Sequence, residues 1–370
     1  MKSEIKIAIM LGIGIAIAVG IISILFSSLD SEFESTSNID SKNNSVNPID
    51  KSKLKMAPDL VGIAYYLNTT PEELAQEMED KVILYDIWTY SCINCIRTLP
   101  YITAWNEKYS DEGLLIIGIH SPEFEFEKDK ENVEMAIAKH GITYPVVMDN
   151  DWETWKAFEN RYWPRKYIAD HEGYLRYDHI GEGAYQETEK IIQQLLEERS
   201  ASLGLQLATA ESLVDIEEFE HTSFRTPELY FGYSLAQGRN QLGSEEGFNQ
   251  NKITTYSEPE NVQLHKFYPV GQWLNLADSM RLESESGVIK ILYHAKEVNI
   301  VTANQAQLDI FLDGMPLDEK YSGEDIKSGN KINVSEADLY NIIKSEKAET
   351  HELEINIQGK GFEVYSFTFG

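Results

Sequence analysis

Cys92 and Cys95 are the only two cysteines of the 370-residue chain, and they stand two residues apart in WTYSCINCIRTLP. A structural bridge across two residues closes so small a loop that it hardly constrains the unfolded chain. A structural zinc centre needs four Cys or His ligands, and neither a second CxxC nor a paired His spacing accompanies this one. Thiol–disulfide exchange needs only the pair itself, with no cofactor and no metal. Reversible redox chemistry is therefore the expectation for Cys92 and Cys95, the more so because an exported chain would otherwise spend cysteines on structural bridges.

The elements around the pair favour that chemistry. VILYDIW, Val82 to Trp88, is a short apolar run rich in β-branched and aromatic residues and reads as a buried strand. Beyond the cysteines, Ile96, Leu99, Ile102 and Trp105 fall on one helical face, with Pro100 placed to kink the helix. Both thiols then lie in the first helical turn, where unpaired N–H groups and the helix dipole stabilise negative charge on sulfur. Cys92, nearer the helix start, is the expected nucleophile, and Cys95, one turn on, the resolving thiol. Asp86 breaks an apolar strand six residues earlier. A carboxylate there is costly to bury, so its pKa should rise and suit it to proton transfer near neutrality.

Further along, LLIIGI (Leu114 to Ile119) reads as a second buried strand, NVEMAIAKHG as a helix closed by Gly141, YPVVMD as a strand and DWETWKAFE as a short helix. YWPRKYIA and YLRYDHIG flank the turn sequence DHEG as a hairpin, and Glu187 to Arg199 forms a closing amphipathic helix. Alternating strands and helices of this kind make an α/β layer structure around a mixed sheet.

DIWTYSCINCIRTLP, IGIHSPEFEFEKDKENV, YPVVMDNDWETW, NRYWPRKYIAD and HIGEGAYQETE, in that order, resemble the TlpA-like domain of DipZ-type thiol-disulfide oxidoreductases in the thioredoxin superfamily. The resemblance implies a thioredoxin-like fold with Cys92 as nucleophile, Cys95 as resolving thiol and Asp86 as the buried acid that shuttles the proton. It implies that Trp88 packs beside the dithiol. It also implies that Pro164, in Trp163-Pro164, is the cis-proline facing it, where a substrate peptide pairs with the backbone. His120 and Glu182 are secondary candidates, in loops expected near the dithiol edge. Two departures bear on substrate preference: Ile93-Asn94 links the cysteines where thioredoxins have Gly-Pro, and Arg165-Lys166 after the proline is unusually basic.

From Thr226 the chain breaks into short alternating runs, VIKILYHA, AQLDIFLDG, HELEINI and FEVYSFTFG, with turns at Asp313-Gly314, Ser322-Gly323 and Gly359 to Gly361. Short strands at this spacing predict a β-sandwich. TPELYFGY, GQWLNL and VYSFTFG resemble the C-terminal jelly roll of DipZ-type proteins, which is similar to carbohydrate-binding modules. Exposed Trp273, Tyr268 or Tyr293 would stack on a sugar ring, whereas buried ones would pack the core.

The expected order is a signal anchor at 1–28, a flexible linker at 29–56, a thioredoxin-like domain at 57–200, a linker at 201–225 and an all-β jelly-roll domain at 226–370. Lys2 and Lys6 precede the uncharged run Ile7 to Phe26, long enough for a transmembrane helix with the folded domains outside the cytoplasm. The net charge of −29 argues against nucleic acid. The expected activity is reduction of disulfides in protein substrates, with electrons from a separate CcdA-like or DsbD-like membrane donor, because only one span is present for the multi-helix module of DipZ. A thiol peroxidase is one alternative, although WTYSC lacks the Pro-x-x-x-Thr-x-x-Cys run of such enzymes. The other is a surface protein whose C-terminal domain binds a glycan or protein, with an accessory dithiol.

Overall fold

The apolar runs at 82–88 and 114–120 become adjacent parallel strands at the centre of a six-stranded sheet in the computed structural model. It describes residues 51–206, 212–219, 224–327 and 329–370. The expected anchor and the linker up to residue 50 lie outside the described residues, and no helix among the described residues is long and apolar enough to cross a membrane.

The first sheet comprises β1 (Tyr65–Leu67), β2 (Val82–Trp88), β3 (Leu114–His120), β4 (Val146–Met148), β5 (Arg165–Ala169) and β6 (Leu175–Ile180), in the order β1-β4-β3-β2-β5-β6. Strands β2, β3 and β4 run parallel, while β1, β5 and β6 are antiparallel to their neighbours. Every residue of β2 and β3 is buried, as near-continuous hydrophobic strands covered on both faces require. Helices α2 (Ile93–Tyr109), α3 (Lys130–Lys139) and α5 (Tyr185–Leu203) pack their apolar residues on one face; α1 (Pro71–Glu77) and the residues around α4 (Glu153–Ala157) cover the other. The chain is already tied to the sheet before residue 57, where Met56 bridges to Tyr174 and Lys51 pairs with Asp170 at 3.0 Å.

The second region is all β. Its strands are β7 (Leu229–Tyr230), β8 (Ile253–Tyr256), β9 (Lys266–Asn275), β10 (Met280–Leu282), β11 (Ser286–Ala303), β12 (Ala306–Leu312), β13 (Met315–Pro316), β14 (Lys331–Val334), β15 (Asp338–Gln358) and β16 (Glu363–Phe369). They form one ten-stranded sheet, eight strands in a hydrogen-bonded path with β14 and β7 attached beside β12 and β16. Asp313 and Gly314, both at positive φ, make the β12–β13 turn that the sequence marks.

Along β11 the burial alternates up to Glu297 and then becomes continuous from Val298 to Ala303. The change records a second covered face. Val298 and Ile300 point into the β-domain core, whereas Val301 and Ala303 join Tyr230, Leu339 and Tyr365 in a cluster that contains Phe124 and takes Phe126, Ile93 and Ile96 of the first region. The two regions therefore share an apolar interface. Polar links border it: Tyr90 Oη donates to the Ala337 carbonyl at 3.1 Å, Arg97 Nη2 reaches Glu297 Oε2 at 2.7 Å and the Glu125 N–H donates to Asp278 Oδ2 at 3.0 Å. Ile96, expected with Leu99, Ile102 and Trp105 in one core, faces this interface instead.

Trp273, Tyr268 and Tyr293 are at most 3% exposed. Of the two roles open to them, all three take core packing, and none is placed to stack on a sugar ring. Trp273 even donates its indole N–H to the Val270 carbonyl at 3.0 Å.

Candidate active site

Strand β2 ends at Trp88, and four residues later Cys92 caps α2. Its sulfur accepts the Cys95 N–H at 3.4 Å, so one of the otherwise unpaired N–H groups of the first turn points at the nucleophile. The two thiols are free; Cys92 is half-buried and Cys95 buried. Burial, together with the hydrogen bond and charge of Cys92, holds the Cys95 thiol well above the ordinary range, and Asp86 adds to the rise. Cys95 thus keeps its proton until a base removes it.

Asp86 lies on the side of the sheet against which Cys95 packs. It shares its sheet face with Val82, Leu84 and Trp88, the face on which Cys95 and α2 pack. It is 1% exposed, and its Oδ1 has no hydrogen-bond partner among the described residues. Burial pushes its pKa up to about 6, opposed by the charge of Lys166. Lys166, directly opposite Asp86 in the β2–β5 register, is completely buried and donates to the Gly181 carbonyl at 3.2 Å. Burial lowers its pKa, while Asp86, Cys95 and Glu182 pull it back up. Of the basic pair after the proline, Lys166 is thus enclosed beside Asp86, and Arg165 is paired with Asp178 at 2.6 Å.

Trp88 is wholly enclosed and so supports the dithiol from beneath without reaching a substrate. Gly118 makes room for it, since a Cβ there would meet Trp88 Nε1 at 3.0 Å and Val146 Cγ2 at 3.2 Å. His120 is not in a loop: it ends β3, fully buried, with its ring 5.7 Å from that of Tyr90 and edge-on to Trp88. Burial lowers its pKa to about 3, and its Nε2 lies 3.3 Å from Thr89 Oγ1. A neutral imidazole spacer under the turn is its place. Glu182 does lie in a loop, 3.8 Å from Arg97, its pKa raised by burial and lowered by Arg97, Arg225 and Lys166.

The Trp163-Pro164 peptide is cis. Pro164 is buried, while Trp163 is half-buried, donates to the Ser121 carbonyl at 2.9 Å and packs 4.3 Å from Trp155. Trp163 and Cys92 line one cleft of about 530 Å³, whose other wall includes Thr226, Tyr230 and Phe369 of the β-domain.

Glu127 escaped the reading of the sequence. It is fully buried and accepts from Ser91 Oγ at 2.6 Å, the Glu123 N–H at 2.6 Å and the Phe124 N–H at 2.9 Å, fastening the turn before Cys92 to the loop after β3. The only sequence signal was an acid following the alternating phenylalanines of EFEFEK, which an exposed loop would show equally.

A family model described as "Redoxin" matches residues 52–196, and one described as "Thioredoxin like C-terminal domain" matches residues 226–370. The thiol-disulfide oxidoreductase YkuV of Bacillus subtilis is 33% identical over 143 residues, 38% of this chain and 94% of YkuV. The chain belongs to the thiol-disulfide oxidoreductases. Protein DipZ of Mycobacterium bovis is 33% identical over 318 residues, covering 85% of this oxidoreductase chain and 43% of DipZ. The chain thus spans less than half the length of that relative. A thioredoxin-like protein solved in its oxidized form in solution is 31% identical, with a TM-score of 0.36 over 39% of this chain and 97% of that one.

Proposed function

We propose that the protein reduces disulfides of protein substrates outside the cytoplasm, tethered by the apolar segment Ile7 to Phe26. The observation that carries the reading is a half-buried Cys92 at the helix cap with a protonated Cys95 behind it and Asp86 at about 6 beneath. The Cys92 thiolate attacks one substrate sulfur, forming a mixed disulfide and expelling the other sulfur as a thiolate that takes a proton from water. Ionised Asp86 takes the Cys95 proton, and the Cys95 sulfur attacks Cys92 Sγ. The bond to the substrate breaks, its electron pair leaves with the second substrate thiol, and a Cys92–Cys95 disulfide remains. Two electrons from a dithiol donor, a CcdA-like or DsbD-like membrane reductant, restore the enzyme.

The test is Cys95→Ala in the native cell, which stops the second attack and should leave substrates disulfide-linked to Cys92. Recovery of no mixed disulfide defeats the proposal. The direction is checked by the reduction potential: a value near the oxidising end, about −120 mV, would reverse it, and one near −270 mV supports it.

A further inference from the structure

The cleft over Cys92 is built by both domains, and its charge runs against that of the molecule. The chain has 61 acidic and 32 basic residues, yet three arginines line this cleft: Arg161 from the first domain and Arg225 and Arg239 from the second. Arg239 is held in place, with its guanidinium 4.6 Å from the Tyr230 ring centroid and its Nε donating to the Leu235 carbonyl at 3.1 Å. Its Nη groups have no hydrogen bond to a described residue. Arg161 is exposed at the rim.

Two carboxyls, Glu123 and Glu228, also line the cleft, but they do not cancel these charges. Tyr230 Oη lies 2.9 Å from Glu123 Oε1 and 2.7 Å from Glu228 Oε2. A phenol has one hydrogen to give, so when it donates to one carboxylate the other contact needs a carboxyl proton. Burial raises both carboxyls, and the charge of Glu228 raises Glu123 further, which favours that shared-proton state. Arg225 also acts on the Glu182 carboxyl, which leaves Arg161 and Arg239 facing about one anion in the cleft that Cys92 lines.

We infer that this cleft selects disulfides flanked by carboxylates, whether in a small molecule or in an acidic peptide segment. The inference rests on the reductase reading and names its substrate class. The arginines raise the local concentration of an anionic disulfide and orient it, while a cationic one is repelled. The β-domain is thereby a wall of the active site.

The experiment is single-turnover oxidation of the pre-reduced full chain, which needs no donor. Dithiodiglycolate, bis(2-hydroxyethyl) disulfide and cystamine supply charges of −2, 0 and +2. Each rate is divided by the rate of the same disulfide with a free thiol, to remove intrinsic reactivity. A second series uses disulfide-bridged peptides with Glu, Gln or Lys beside the cysteines. The expected anionic-to-neutral ratio is about ten or more, equal to about 1.4 kcal/mol, and falls several-fold in Arg161→Gln, in Arg239→Gln and with added salt. Arg161→Gln, at an exposed position, guards against loss of folding in Arg239→Gln. Discrimination confined to the small molecules assigns a small-molecule source, and discrimination among the peptides a protein one. Equal ratios in both series, or a preference for the cationic disulfide, overturns the inference while leaving the reductase reading intact. Failure to oxidise with any disulfide overturns that reading itself.

Discussion

In the proposed mechanism, proton management turns on Asp86 and Lys166. An Asp86 pKa of about 6 means that the base form fills as pH rises through 6. The step in which Cys95 resolves the mixed disulfide should accelerate across that range and level off above it. Asp86→Asn should abolish this inflection and slow resolution about 100-fold at pH 7, measured by rapid-quench decay of a preformed mixed disulfide. Linkage fixes a second consequence. The folded state binds this proton more tightly than the unfolded chain, so stability is lost as pH rises from about 4 to about 6 and stays lost above. Asp86→Asn should therefore be more stable than the parent at pH 8, by up to about 3 kcal/mol, with the difference shrinking toward pH 4 in urea titrations. Lys166→Met removes the cation that holds Asp86 down, and the inflection in the resolving rate should move above pH 6. An unmoved inflection would show that the two charges do not interact.

At the scale of elements, α2 serves two masters. Leu99, Ile102 and Trp105 face the first sheet, while Ile93, Ile96 and Arg97 face the β-domain. Arg97 and Glu297 have side chains only 11% and 9% exposed, so removing Arg97 takes the 2.7 Å cation from Glu297, whereas without Glu297 the guanidinium still has Glu182 at 3.8 Å. Arg97→Met should cost about 3 kcal/mol in urea unfolding, and Arg97→Met combined with Glu297→Met should recover much of that loss. The helix itself, like β2 and β3, was legible because apolar runs and spacing are local properties. So were the CxxC at the helix start and the buried acid, since a CxxC after a strand and a carboxylate inside one are visible in single lines of sequence. The double use of α2 was not legible: Ile96 fits the periodicity of a core residue, and what buries it lies more than 200 positions away in Val301 and Tyr365. His120 was misplaced for a related reason, because a polar side chain at a strand end reads as the start of a loop until the rings of Trp88 and Tyr90 are seen around it.

At the scale of the molecule, the apolar seam around Phe124, Phe126 and Tyr365 should make the two folded regions lose structure together. Calorimetry on the full chain should record one transition with matching calorimetric and van't Hoff enthalpies; two resolved transitions would show that the seam is too weak to couple them. The placement of Tyr365 in the final strand also has a consequence for synthesis. A ribosome releases Cys92, Ile93 and Phe124 long before it has made β16, so the nascent dithiol emerges with its flank bare. Any thiol or oxidant that meets the growing chain does so before the β-domain wall of the cleft exists. Discrimination between partners is thus acquired only once β16 is in place.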